Sequence, residues 1–592
     1  MQPRFGVQKP VSSKPYSGCS VVVKNPLVPM PFPNCVAQAT EPVNAVHVIN
    51  DDRSMINTKN KLFPIFLLPL FFCASLHGQV RQETPVVLTG DRLPDLLGVS
   101  PLKVAAFKWA NDHWQQIPVQ IDERAVKNVH LLYDGLVNDF YDVEFLVYTD
   151  PQMYTGPDED PTFDADDELV FMARDAGQKF NGASSPPGTS GSPTELLLSD
   201  PITGTTSYVY LFRHDGSLLP DAGRNYVDYQ FQLDSGDYLD SYLINELNPE
   251  HSSVQTAYYS QRYTSEWVRD QIRIEAGNST GVDLLDQDKT LLGPGVCHRT
   301  VETFSEGRGI HIASKDGPVR AIRSWMGANS GPLTQRTHLF YERTDEVRTY
   351  WRVHLIRGLL HFLDLSEKGL GMTFYSDVMP DGLLIDGQPE PTEPEAPKWG
   401  LISGPQGSLL RFDEIEASFP LDTLQFFFYD DEMPLVEQCS GDGQSIGAAG
   451  WWIDQEIPNT DPRDGDHADL YSVVRTYFLA ENRHPADIDY LVDYERFPLE
   501  ITVETPATAV AETNELRLRV FPNPATDQVY VDIPEVEGSF EWLNAEGLLL
   551  TAGAIPAGRR IDLPQAAPGI YLLRLRTKNG TYTARIVKVR TD

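Results

Sequence analysis

The sequence predicts a mostly β protein, with a large β-sandwich, a smaller N-terminal β unit and a small C-terminal immunoglobulin-like sandwich. Three observations lead there. Runs of β-branched and aromatic residues recur between turn residues: Val143 to Tyr148, Glu168 to Met172, Ser207 to Phe212, Val347 to Ile356 and Leu424 to Tyr429. Helical periodicity is scarce, and Ser472 to Asn482 is the stretch that best fits a helix. Aromatic residues make up 10% of the 592 and include 25 tyrosines, too many for a disordered polyanion.

The N-terminus reads in two parts. Residues 1–54 are Pro-rich and without periodicity, and are expected to be a start-site artefact; the alternative is a real extension preceding an internal apolar helix. From Met55 the text becomes MINTKNKLFPIFLLPLFFCASLHGQ, with Lys59 and Lys61 ahead of an apolar run of 11 residues, Leu62 to Phe72. That layout, closing at Gly78, is a secretory signal peptide over 55–78, too short to span a membrane. Removal of residues 1–78 takes away seven Lys/Arg and three Asp/Glu, changing the formal charge from −36 to −40. Such a charge excludes a general nucleic-acid binder, which needs a cationic surplus to neutralise phosphate. The mature chain is expected to have no transmembrane segment. It retains Cys297 and Cys439, either a disulfide or two separate thiols.

Composition then divides the chain. Residues 79–177 form the N-terminal β unit, 178–194 a Gly/Ser/Pro linker or loop, 195–500 the large sandwich, and 501–515 a linker rich in Ala, Thr and Glu. Trp114 to Glu123 reads as an edge strand because it carries Pro118. Residues 516–592 alternate over Gln528 to Ile533, Tyr571 to Leu575 and Thr581 to Val587, with Gly, Pro and Asn between, the pattern of a small β-sandwich.

Within that last segment stand Val520-Phe521-Pro522-Asn523-Pro524-Ala525, Gly569-Ile570-Tyr571-Leu572 and Ile586-Val587-Lys588. Residues 516–592 thereby resemble the type A C-terminal sorting domain of type IX secretion cargo from Bacteroidota. The resemblance implies signal-peptide export, contact with the type IX machinery, and a secreted or outer-membrane-attached product. It says nothing about what the remaining chain does. A second resemblance lies in residues 317–332, where Gly317-Pro-Val-Arg320-Ala-Ile-Arg323-Ser-Trp325 and Gly327-Ala-Asn329-Ser-Gly-Pro332 are similar to strands of polysaccharide-lyase and mutarotase-like β-supersandwiches. It implies a supersandwich passenger and transfers no residue roles.

Two acidic loops are candidate structural calcium sites, because Ca²⁺ takes six to eight oxygens and alternating carboxylates on a short loop can converge on it. The first holds Asp158, Asp160, Asp164, Asp166, Asp167 and Glu168; the second Asp461, Asp464, Asp466 and Asp469. The alternative is a solvated acidic loop. The first lacks the glycine and terminal glutamate of an EF-hand.

Residues 298–361 form a basic island, with ten Lys/Arg against six Asp/Glu and five of the thirteen histidines. Along its last strand, Arg348, Tyr350, Arg352 and His354 share one face while Trp351, Val353 and Leu355 share the other. A face of Arg, Tyr and His suits an acidic polysaccharide, since guanidinium binds carboxylate bidentately and Tyr or His can move a proton. In a lyase, Tyr350 or His354 would remove the proton α to a uronate carboxylate neutralised by Arg348, Arg352 or Arg320. The competing expectation is a non-catalytic surface or adhesion protein, its arginines paired with its own carboxylates and its loops stiffened by calcium. Gly443-Gln-Ser445-Ile-Gly447 matches GxSxG but lacks the strand and helix of a nucleophile elbow, and reads as a loop. Trp451 and Trp452 suit either a sugar platform or a core.

Overall fold

A computed structural model describes residues 81–588, apart from 129–143, 183, 237, 239–248, 266–267, 294–308, 328–333, 353–354, 390–396, 435–442, 459–468, 505–518, 522–524, 533–537, 545–548, 566, 568 and 579. The described chain is mostly β, in several open sheets with no closed barrel among them.

The largest sheet has nine strands, in the order Gly309–Lys315, Ala321–Gly327, Thr334–Phe340, Thr344–Trp351, Leu470–Leu479, Gly407–Ala417, Gly400–Gly404, Thr373–Ser376 and Leu383–Leu384. A four-stranded sheet faces it: Leu285–Leu292, Leu359–Leu365, Ser445–Ile453 and Leu424–Asp431. One end of the space between them is filled by Trp325, Trp351 and Trp451 packed among Leu and Ile side chains. Fully buried tryptophans remove large apolar areas from water, which is the main favourable term in such a core.

Much of the interior is charged. Arg269 joins the sheets by ion pairs to Asp288 at 2.8 Å and Asp345 at 3.0 Å. Arg323 pairs with Glu250 at 2.6 Å over the rings of Tyr263 and Trp325. Buried charges persist only where partners satisfy them, so these arginines are part of the packing.

Residues 81–214, joined by the strand Glu500–Glu504, add three smaller sheets. Pro85–Thr89, Glu168–Met172 and Gln120–Asp122 form one, and Arg124–Asn128 with Glu144–Tyr148 a second. The third runs Glu500–Glu504, Thr189–Ser199, Thr206–His214, Val104–Ala110 and His113–Ile117. His113–Ile117 is an edge strand, as its proline predicts, and Pro118 divides it from Gln120–Asp122. The stretch 178–194 does not separate two sheets. A strand starts at Thr189 inside it, pairs with Thr206–His214 and also takes Glu500–Glu504 as a neighbour. Its Gly and Ser residues coincide with a register shift between Ser190 and Thr194, an irregularity that small residues accommodate within a strand.

Two further expectations are corrected. Ser472 to Asn482 is mainly strand, as part of Leu470–Leu479, because Val473, Val474, Thr476, Tyr477 and Phe478 favour a pleated, two-sided surface. The helix lies just after it, at Pro485–Arg496, with Pro485 in the first turn and the Asp487 carboxylate accepting from the His484 N–H at 2.9 Å. Ser445 and Gly447 belong to the strand Ser445–Ile453 rather than a loop, and Ser445 is fully buried.

Residues 519–588 form a three-stranded sheet (Arg519–Phe521, Gln528–Asp532, Arg560–Asp562) and a four-stranded one (Leu549–Ala554, Gly538–Leu543, Gly569–Thr577, Gly580–Lys588). Trp542 is wholly buried in their core with Val531, Leu573, Leu575 and Ile586.

Candidate functional site

Strand pairing places the basic residues on definite faces. On the face of Thr344–Trp351 that carries Arg348 and Tyr350, the preceding alternate residue is Glu346, paired across the sheet with Arg475. Arg348 Nε donates to Glu346 Oε1 at 2.6 Å. Tyr350 packs on Tyr471, ring centroids 4.5 Å apart. Arg352 is buried, sandwiched between the Phe145 and Tyr350 rings at 4.0 and 4.2 Å, with Nη1 donating to Gln335 Oε1 at 3.1 Å.

Arg320 has no exposed surface. Nε donates to Asp122 Oδ2 at 2.8 Å, Nη2 to Glu168 Oε2 at 2.5 Å and Nη1 to the Tyr341 hydroxyl at 3.1 Å. Burial alone would raise the Glu168 pKa, but Arg320 and Arg124 outweigh it and hold the carboxyl at about 2. A substrate carboxylate could reach Arg320 only by displacing two buried carboxylates. The predicted set therefore divides: Arg348 and Tyr350 stay half-exposed, Arg320 and Arg352 are buried within the fold, and His354 lies outside the described residues.

The acidic loops fare similarly. Asp158 accepts from the Asp160 N–H, Asp160 from Thr162 and Asp164 from Asp166, each at 3.1 Å. Asp167 accepts from the Arg124 N–H at 2.8 Å and the Asp164 N–H at 3.0 Å, and Glu168 is committed to Arg320 and Arg124. One oxygen each of Asp158, Asp160 and Asp164 thus accepts a local N–H, as in ordinary Asx turns, while Asp158 Oδ2 is buried without a partner. Burial, reinforced by the Asp164 and Glu123 charges, pushes Asp167 up to about 7 against its two N–H bonds. Asp469 accepts from Ser418, and Asp461, Asp464 and Asp466 lie outside the described residues. Among the described residues, no group of three or more His, Cys, Asp and Glu could hold a metal ion.

A cleft of about 430 Å³ opens on the face of the nine-stranded sheet that carries Glu346. Its floor is Tyr341, Thr344, Glu346, Glu414, Arg475 and Tyr477; its walls come from Pro85–Thr89, the end of the helix Pro485–Arg496 and residues 498–501. Arg475 is the centre. Nε donates to Glu346 Oε2 at 2.8 Å, and Nη1 to Glu414 Oε1 and Glu495 Oε2, each at 2.9 Å. The Tyr477 hydroxyl donates to Glu495 Oε1 at 2.5 Å. Burial disfavours charge on Glu346, but Arg348 and Arg475 outweigh it and lower its pKa, so it is ionised at neutral pH. Burial and the Glu495 charge raise Tyr477 well above the usual phenol value, keeping it a neutral donor. Arg81 closes one wall, paired with Asp200 at 2.8 Å and lying 4.2 Å over the Tyr494 ring.

Sequence reasoning missed this site because Arg475 and Tyr477 were assigned to a helix. Glu346 was within reach: the alternation that put Arg348 and Tyr350 on one face also puts Glu346 there.

Residues 519–589 match the secretion system C-terminal sorting domain. The chain carries a sorting domain for type IX export. It is thus exported cargo of that system, destined for the cell surface or the extracellular space, and the sorting domain is the part that meets the machinery. No curated protein matches the chain. Among the described residues no helix is long and apolar enough to cross a membrane.

Proposed function

We propose that the exported passenger is a glycan-binding protein and that the Arg475 cleft is its binding site. The arrangement of Arg475 among Glu346, Glu414 and Glu495, beside Tyr341, Tyr477 and Tyr494, carries this reading. Fixed carboxylates accept sugar hydroxyls, and tyrosine rings offer flat apolar surface to the C–H face of a pyranose. The volume falls within the roughly 300–1,000 Å³ of typical small-ligand clefts. Each carboxylate is held by a guanidinium, so the site meets a ligand with its polar groups already oriented.

Binding is favoured over β-elimination. Of the three guanidinium groups in the lyase scheme, Arg320 and Arg352 are enclosed by Asp122, Glu168, Phe145 and Tyr350, and the half-exposed Arg348 is already paired with Glu346 at 2.6 Å. The same internal pairing supports a non-catalytic role at the surface, which glycan binding would serve. The test is a glycan array probed with the purified full-length chain and with Glu414→Gln. Retention by the wild type and loss in the variant support the proposal; retention by neither removes it.

A further inference from the structure

We infer that the glycan taken by the cleft is neutral and hydroxyl-rich, with no uronate or sulfate at the Arg475 subsite. The inference rests on the glycan-binding reading above and names the substrate class within it.

At the floor of the cleft Arg475 is already paired with three protein carboxylates. A guanidinium offers five N–H donors in a planar fork. Arg475 directs Nε to Glu346, Nη1 to Glu414 and Glu495, and Nη2 to Glu414 Oε2 at 3.4 Å. The Arg81 side chain is buried on Asp200, with a further bond to the Tyr494 carbonyl at 3.3 Å. Arg92, at the exposed mouth, donates to the Ile501 carbonyl at 2.7 Å. An anionic sugar at the floor would therefore compete with three protein carboxylates for Arg475, whose bonds to them use four of its five N–H donors. It would also sit among Glu346, Glu414 and Glu495, and like charges at such separations repel.

A hydroxyl meets the opposite situation. A carboxylate has about four lone-pair directions, and Glu414, with 56% of its side chain exposed, retains open acceptor capacity beside its bonds to Arg475. Sugar O–H groups donate to it without breaking an ion pair. Hydrogen bonds to a charged acceptor are the stronger kind, which suits a ligand that carries no charge of its own.

The test immobilises neutral glycans (mixed-linkage β-glucan, xylan, mannan) beside acidic ones (polygalacturonate, alginate, a sulfated galactan) and applies the full-length chain at low and high salt. The expected result is retention on a neutral glycan, insensitive to salt, and weakened about tenfold by Glu414→Gln through loss of a charged acceptor. Retention only on acidic glycans, lost at high salt and strengthened by Glu414→Gln, overturns the inference while leaving the glycan reading in place. Retention on neither class overturns both.

Discussion

Arg320 Nη2 stands 2.5 Å from Glu168 Oε2, and neither side chain is open to water. The bond links the sheet of Pro85–Thr89 to the nine-stranded sheet, for Glu168 opens a strand of the first and Arg320 immediately precedes one of the second. It also explains why an arginine expected to meet a ligand does not.

Removing one partner of this pair should cost far more than replacing both. Glu168→Ala leaves the buried Arg320 with Asp122 as its remaining carboxylate and should destabilise the chain by about 3–5 kcal/mol. Denaturant midpoints of the full-length protein measure it, and an unchanged midpoint would mean the pair is not buried as described.

Acid should weaken the fold through His338, which lies 3.2 Å from Asp345 Oδ1. Burial lowers its pKa from 6.5 to about 4, against the opposing pull of Asp345. The unfolded chain then binds more protons than the folded one between those values. Stability is lost as pH falls from about 6.5 and the loss is complete below about 4, amounting to up to roughly 3 kcal/mol. His338→Asn should remove that portion of the pH dependence, visible as a smaller fall in denaturant midpoint between pH 7 and pH 4.

Gly450 allows the close approach of two strands in the four-stranded sheet. A Cβ there would meet the His361 carbonyl oxygen at 2.1 Å and Phe362 Cα at 2.5 Å, both backbone atoms. Gly450→Ala should therefore cost about 1–3 kcal/mol by overpacking, measured as a lower thermal midpoint.

The sorting domain depends on Trp542, fully buried, with its indole N–H donating to the Asp562 carbonyl at 2.9 Å. Trp542→Ala should cost the domain about 3–5 kcal/mol. In a bacterium with a type IX system the variant should accumulate inside the outer membrane, as should a chain ending at residue 518. Immunoblots of cell fractions would show it, and normal surface delivery of either would contradict the assignment.

The β class and the sorting domain were legible in the sequence because both rest on local pattern: alternation for Thr344–Trp351, and the Val520 and Gly569 motifs for the C-terminus. The cleft was not. Arg475 meets Glu346, Glu414 and Glu495 through strand pairings and a helix end distant in sequence, and no local spacing encodes those. The sequence also overstated the basic island. Alternation correctly put Arg348 and Tyr350 on one face, but could not reveal that Phe145 covers Arg352 or that Asp122 and Glu168 enclose Arg320.

The central claim, that the Arg475 cleft binds glycan, is tested most directly by calorimetric titration of the full-length chain with the array-selected oligosaccharide. Wild type is compared with Glu414→Gln and with Glu159→Gln, an exposed glutamate on the first acidic loop. The account predicts that Glu414→Gln raises Kd about tenfold while Glu159→Gln leaves it unchanged. Equal affinity in all three proteins would contradict it.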